Sequence, residues 1–234
     1  MIRINIVTRE EKKYLINYID YKKYSGYFEK VLNQDSHNGS NGYLVRSLYF
    51  DTLNDQDFVN KIDGVEIRHK IRLRIYSTND DFAVLEHKQK QGDYQKKRSM
   101  KVTKEDAYEI INSNYSVLLK YKNEFAIEMY ALMSMNCYRP KTIVQYNRKA
   151  FVAKENRIRL TFDNKIVATE SNFDIFSDRL CFYPALEESM VVFEVKYNGF
   201  LLSYIKDIVN EVNKSNISVS KYCLGRSIIC QYVF

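Results

Sequence analysis

Between Glu66 and Tyr76 the chain reads EIRHKIRLRIY, with Arg68, Lys70, Arg72 and Arg74 at every second position and Ile67, His69, Ile71, Leu73 and Ile75 between them. A period of two is the period of a strand, so four cations point to one side of a sheet and mostly apolar side chains to the other. One such strand would be satisfied as a solvated sheet face. The pattern recurs, however, in Glu86, Lys88 and Lys90, in Lys96 and Arg98, in Tyr146 and Arg148, in Arg157, Arg159, Thr161 and Asp163, and in Glu194 and Lys196. Several strands built this way imply charged faces that converge on one space, where the cations repel one another unless an anion sits among them. A polyanion is the expected ligand.

The chain has 234 residues, 45% of them hydrophobic and 14% aromatic, enough to bury a sizeable core. With 7 Gly and 2 Pro, no internal repeat and no shift in composition, it is expected to form one domain over residues 1–234. A formal net charge of +7 agrees with an acidic partner but decides little alone. Nucleic acid is not the expected partner, because the cations sit within strands rather than along a helix or loop, and no aromatic stacking motif accompanies them. Cys137, Cys181, Cys223 and Cys230 lack metal-ligand spacing and read as reduced thiols. The opening MIRINIVTREEKK has no apolar signal core, and no run approaches the ~20 apolar residues of a membrane helix. A soluble, cytoplasmic protein is expected, with no obligatory protein partner.

Element by element, the first segment is open between a strand through Arg9, Glu11 and Lys13 and a charged helix, with a helix from about Leu15 to Leu32 to follow. Gln34 to Gly42 is a polar loop. Strands are expected over Tyr43–Asp51, through the basic segment, near Phe82–Lys90, and on to Val102 after a turn at Gly92 and Asp93. Thr103, followed by Lys104, Glu105 and Asp106, predicts a capped helix start. A second helix is predicted from Ser116 to about Asn136, strands over Thr142–Val152, Arg157–Asp163 and Met190–Tyr197, and a last helix over Leu201–Val212. The class is α+β: a closed antiparallel β-barrel with a polar lumen and helices outside.

Eight motifs in order, SLYFDT (47–52), KIDG (61–64), RLRIY (72–76), LEHK (85–88), QYNRKAF (145–151), RLTFD (159–163), FEVK (193–196) and SKY (220–222), resemble the VTC domain, the polyphosphate polymerase branch of the triphosphate tunnel metalloenzymes. Single pieces such as RxR or ExK are unspecific; the ordered series is specific. The resemblance implies an antiparallel barrel with a Lys/Arg-lined tunnel. It implies transfer of the terminal phosphate of ATP to a growing inorganic polyphosphate chain, assisted by Mn²⁺ or Mg²⁺. By motif, Arg72, Arg74, Lys88, Arg148 and Arg159 would act on the transferring phosphates. Lys13, Lys61, Lys96 with its neighbour Arg98, Tyr146, Ser220 and Lys221 would hold the phosphate chain, and Glu194 would hold the metal.

Those residue types suit phosphoryl transfer, which needs positioning and charge neutralisation more than covalent help. Arg supplies planar clamps, Lys point charges, and a carboxylate-bound divalent ion bridges phosphate oxygens. Hydrolytic relatives carry an alternating ExExK on the first strand. Here Arg9 replaces the first acid and only Glu11 remains, which disfavours hydrolysis and leaves the register open between Lys13 and Lys12. Neither a phosphate-sensing helical domain nor a membrane segment is expected beside the tunnel motifs in these 234 residues. His69 and His87 are expected on the outer, helix-packed faces, and Asp51 and Asp163 as caps or partners of lumen cations. The alternatives are a metal-dependent triphosphatase of the same fold and a non-catalytic polyanion-binding module.

Overall fold

The computed structural model describes residues 3–6, 10–92, 94–211 and 219–230. Arg9, Asp93 and Val212, which entered the expectations above, lie outside the described residues, as does the side chain of Cys230. One antiparallel sheet organises the chain. Its strands are β1 (Arg3–Ile6), β2 (Glu10–Asn17), β3 (Asn33–Gln34), β4 (Tyr43–Asp51), β5 (Ile67–Ile75), β6 (Phe82–Gln91), β7 (Tyr94–Thr103), β8 (Arg139–Val152), β9 (Arg159–Thr169), β10 (Tyr183–Pro184) and β11 (Met190–Tyr197). The spatial order is β1-β7-β6-β5-β4-β8-β9-β11-β2, with β3 added to β8 and β10 to β9.

Period-two patterning sorts each strand into an inner and an outer face. Outward, Leu48, Phe50, Ile71, Leu73, Ile75, Leu85, Met100 and Val102 form one core beneath α3 (Lys104–Ile111), a 3₁₀ turn at Tyr115–Tyr121 and α4 (Glu124–Met135). A second outer core joins Tyr14, Ile16, Phe151, Leu160, Phe162, Phe193 and Val195 to α1 (Tyr18–Val31) and α5 (Ser203–Glu211). Phe162 and Phe193 stack there with centroids 4.7 Å apart. Burying such side chains contributes roughly 1.5–3 kcal/mol each, so the two helical layers hold the strands with their charged faces turned inward.

The curl closes through side chains rather than through a continuous ladder. Among the described residues no strand pairing joins β2 to β1 or β7, so the expected closed barrel has a seam. Across it, Lys88 of β6 feels the charges of Glu11 on β2 and of Glu194 and Lys196 on β11, and Lys70 of β5 feels Lys13 of β2. At one end the lumen is filled by α6 (Lys221–Cys230): Tyr222 stacks on Tyr49 at 5.2 Å and donates to Asp51 at 2.5 Å. Gly225 is required in this helix, since a Cβ there would lie 2.8 Å from Val144 Cγ2 and 3.0 Å from Thr142 Oγ1.

Several boundaries differ from expectation for local reasons. The first segment is a strand that runs to Asn17, whose side chain accepts from the Asp20 N–H at 2.8 Å and so starts α1 three residues later than predicted. The helix expected over 116–136 is two elements, because Lys122 takes a left-handed φ of 46° and Asn123 recaps the chain by accepting from Ala126 N–H. Thr103 caps α3 as predicted. On β9, Lys165 at φ 50° and a bulge opposite 145–147 shift the inward parity from Asp163 to Ile166 and Ala168.

A cation-lined lumen as the candidate active site

Two ionic clusters face each other inside the sheet. The first centres on Glu86 of β6, 2% exposed. Arg72 donates to it from Nε at 2.6 Å and pairs from Nη2 at 2.5 Å, Arg74 approaches at 3.8 Å, and Lys97 of β7 pairs with its other oxygen. Burial opposes a charge on Glu86, but Arg72, Arg74 and Lys97 hold its carboxyl well below the usual range. Arg72 also donates to Tyr49 Oη at 3.0 Å, and Arg74 to Ser47 Oγ at 3.0 Å and Tyr146 Oη at 3.3 Å. Burial would raise Tyr49, yet Arg72, Arg74 and Lys70 bring its hydroxyl below its ordinary pKa.

The second cluster centres on Glu194 of β11. Lys196 pairs with it at 3.1 Å, Lys13 at 3.6 Å and Arg148 at 3.8 Å, while Thr161 donates at 3.4 Å. Lys13 bridges onward to Glu11 at 2.6 Å. Burial again works against the charged carboxylate, but Lys196, a hydrogen bond shared with Glu11, Lys13 and Lys221 keep Glu194 ionised well below its usual range. Beside it, Arg148 and Lys221 converge on Asp163 and both lie against the Tyr146 ring, 5.3 and 4.9 Å from its centroid.

Cations exceed carboxylates in this space. Lys88 stands between the clusters; burial, with Arg72 and Lys196 adding repulsion, lowers its ammonium well below the ordinary lysine range. Burial brings Lys70 down to about 8, with Lys13 and Lys61 acting the same way, and its Nζ donates to Ser220 Oγ at 2.8 Å. Like charges are thus set side by side at a cost in protonation for Lys70 and Lys88, whereas for Lys13, Arg72 and Arg148 burial is outweighed by their carboxylate partners, which raise them.

Most residues proposed from sequence meet here: Lys13, Arg72, Arg74, Lys88, Tyr146, Arg148, Glu194, Ser220 and Lys221. Lys12 instead lies over the Tyr197 ring on the outer face, which resolves the register in favour of Lys13. Lys61 comes from α2 (Gln56–Ile62) and stands where Arg68, Lys13 and Lys90 converge. Arg159 sits at the opposite mouth, pairing with Asp35 at 2.5 Å and donating to Tyr43 Oη at 3.2 Å.

Lys96 and Arg98 are corrections. Gln91 pairs with Tyr94 across the turn, so Lys88 opposes Lys97, and the inward residue of β7 is Lys97 rather than its neighbours. Arg98 turns outward, pairing with Glu128 of α4 and stacking at 5.3 Å on Phe125. It shares that outer face with the stacked His69 and His87. Lys70, Lys97, Glu86, Glu11 and Lys196 are lumen residues that were given no site role from sequence, although Lys70, Glu86 and Lys196 fall in the alternating pattern. For Lys97 the signal is the hairpin dipeptide Gly92-Asp93.

Among the described residues no three His, Cys, Asp or Glu form a metal cage. The donors nevertheless suit a hard divalent cation. Glu194 and Glu11 supply adjacent carboxylates, and Mg²⁺-like ions are held by one or two carboxylates, with water and substrate phosphates completing the shell.

An antiparallel sheet curled round a lumen of inward cations and carboxylates defines the triphosphate tunnel fold. The likeness extends to solved structures. One is a candidate adenylate cyclase from Bacillus halodurans, at 13% identity and TM-score 0.52, covering 92% of this chain and 96% of the other. Another is HpAC1 from Hippeastrum, a candidate adenylyl cyclase described as having a dominant triphosphatase activity, at 14% identity and TM-score 0.55, covering 93% and 94%. At such identities the likeness is one of fold. Within that fold, the chain belongs to the VTC domain family, which it matches over residues 8–230. Comparison with curated protein sequences finds no match.

Proposed function

We propose that this chain is a polyphosphate polymerase that transfers the terminal phosphate of ATP to an inorganic polyphosphate chain within the lumen. The observation that carries the proposal is the concentration of inward cations on separate strands, with the Glu194–Glu11 carboxylates set among them. In the transfer, a terminal oxygen of the polyphosphate attacks the γ-phosphorus and forms a new P–O bond. The bond from the γ-phosphorus to the β,γ-bridging oxygen breaks, and ADP leaves. The attacking oxygen is already ionised near neutral pH, so no protein base is required.

The residues supply position and charge. Arg72 and Arg74 present planar donors from one strand, Arg148 from the facing wall, and Lys88 a point charge between them. Charge moving onto the leaving oxygens meets preorganised cations rather than water. Mn²⁺ or Mg²⁺ held by Glu194 and Glu11 would neutralise phosphate oxygens when bound.

A second reading, metal-dependent hydrolysis of a triphosphate, rests on the same Glu194–Glu11 carboxylates, with the replacement of the first acid by Arg9 weighing against it. Incubation with ATP and Mn²⁺, followed on a gel that resolves polyphosphate and by a free-phosphate assay, decides between them. Polymer with ADP supports the polymerase, and free phosphate without polymer supports the hydrolase. Tight polyphosphate binding with neither product leaves a binding module.

A further inference from the structure

We infer that Tyr76, His37 and Tyr43 form a nucleobase-stacking site at the lumen mouth opposite α6, so that a nucleoside triphosphate enters base-outward with its phosphates directed at Arg74 and Arg148. This deepens the proposed triphosphate chemistry and rests on it.

The three rings come from separate parts of the chain. Tyr43 opens β4, Tyr76 follows β5, and His37 lies in the loop between β3 and β4. His37 and Tyr76 are near parallel, 23° apart, with centroids separated by 6.5 Å; Tyr43 lies 5.9 Å from His37 and 6.1 Å from Tyr76. Tyr76 is 42% exposed and the His37 side chain 74%, so flat faces are offered to solvent at the entrance to a charged channel.

These rings are tied to that channel. Asp35 accepts from His37 Nδ1 at 2.8 Å and pairs with Arg159, which in turn donates to Tyr43 Oη. Tyr43 is the cross-strand neighbour of Arg148. Tyr76 shares the inward parity of Arg74, two residues and about 7 Å along the strand, and the two interact electrostatically. A sugar spans such a gap between a stacked base and the first phosphate. A bare phosphate chain makes no use of aromatic faces, whereas a nucleotide carries a flat ring one sugar away from its phosphates. Stacking of this kind tolerates any base, because every base has a π face.

The test is calorimetric titration of the whole chain, as wild type and as Tyr76→Ala, Tyr76→Phe and His37→Ala, with ATP and separately with inorganic triphosphate. The expected result is that Tyr76→Ala weakens ATP binding roughly five- to a hundredfold while triphosphate affinity stays the same. Tyr76→Phe should keep wild-type ATP affinity, and His37→Ala should lose part of it. Equal weakening of both ligands by Tyr76→Ala, or no change in either, overturns the base site while leaving the triphosphate reading intact. Wild-type protein that binds neither ligand overturns the triphosphate reading and the base site with it.

Discussion

Arg148 donates to both carboxylate oxygens of Asp163, from Nε at 2.7 Å and Nη2 at 2.8 Å, and Lys221 reaches the same carboxylate at 2.6 Å. The contact ties β8, β9 and the start of α6 together inside the lumen. Burial would raise the Asp163 pKa, but Arg148 and Lys221 bring it down to about 2 from an ordinary value of 3.8. Because the folded pKa lies below the unfolded one, the stabilisation is complete above about pH 4 and is lost as pH falls through about 2. It amounts to about 2 kcal/mol. Urea denaturation of wild type and Asp163→Asn across pH 2–6 checks this: the variant should be less stable at pH 6, and the gap should narrow toward pH 2. A constant gap contradicts the linkage.

Glu194 and Arg72 should separate turnover from binding. Glu194→Gln keeps the shape but removes the charge proposed to hold the metal, so Mn²⁺-dependent turnover should collapse while triphosphate affinity holds or rises. Arg72→Ala should lower both, since one charge-assisted contact is worth roughly 1.5–3 kcal/mol, about ten- to more than a hundredfold. Full activity in Glu194→Gln would remove that carboxylate from the metal site.

Lys88 bears on the cost of assembling the lumen. Its charge is disfavoured by burial and by Arg72 and Lys196. Lys88→Met should therefore raise the melting temperature without ligand by a few degrees, while shrinking the rise that triphosphate produces. In wild type that ligand-induced rise should diminish as salt increases. Thermal melts with and without millimolar triphosphate, at low and high ionic strength, measure both. A Lys88→Met protein that melts lower than wild type would show that the cation is already compensated.

Gly225 tests the seating of α6. A methyl group there meets Val144, Thr142 and Ala168 at 2.8, 3.0 and 3.3 Å, and the first two lie on a strand held in the sheet on both sides. Gly225→Ala should cost roughly 1–3 kcal/mol by overpacking and loosen the helix from the lumen. Denaturation midpoints give the first effect. Faster thiol labelling of Cys223, on the same helix, gives the second. Unchanged labelling would mean that the sheet, not the helix, yields.

Much of the barrel was legible because period-two alternation is a local property: each strand declares its charged face without reference to its neighbours. The outer cores followed the same logic, as Ile71, Leu73 and Ile75 fall between Lys70, Arg72, Arg74 and Tyr76. Lys97 could also be found from sequence, since the dipeptide Gly92-Asp93 signals a hairpin, and the register that pairs Gln91 with Tyr94 places Lys97 opposite Lys88. Inward Lys96 and Arg98 would preserve alternation within β7 but not its register to β6, and one residue of slip exchanges the faces of a strand.

By itself, then, the sequence determined which strands carry charge on one face, the α+β class, the Thr103 cap and the family to which the chain belongs. Only the tertiary structure decided which charges meet. Glu11 and Glu194 lie 183 positions apart, and they share Lys13 because β2 pairs with β11 in the register Lys13 to Glu194. Lys88 faces them across a seam that no ladder bridges among the described residues, and His37 reaches Tyr76 from a loop without periodicity. Such meetings depend on the curl of the sheet and on the registers of strands distant in the chain, and no local pattern encodes either.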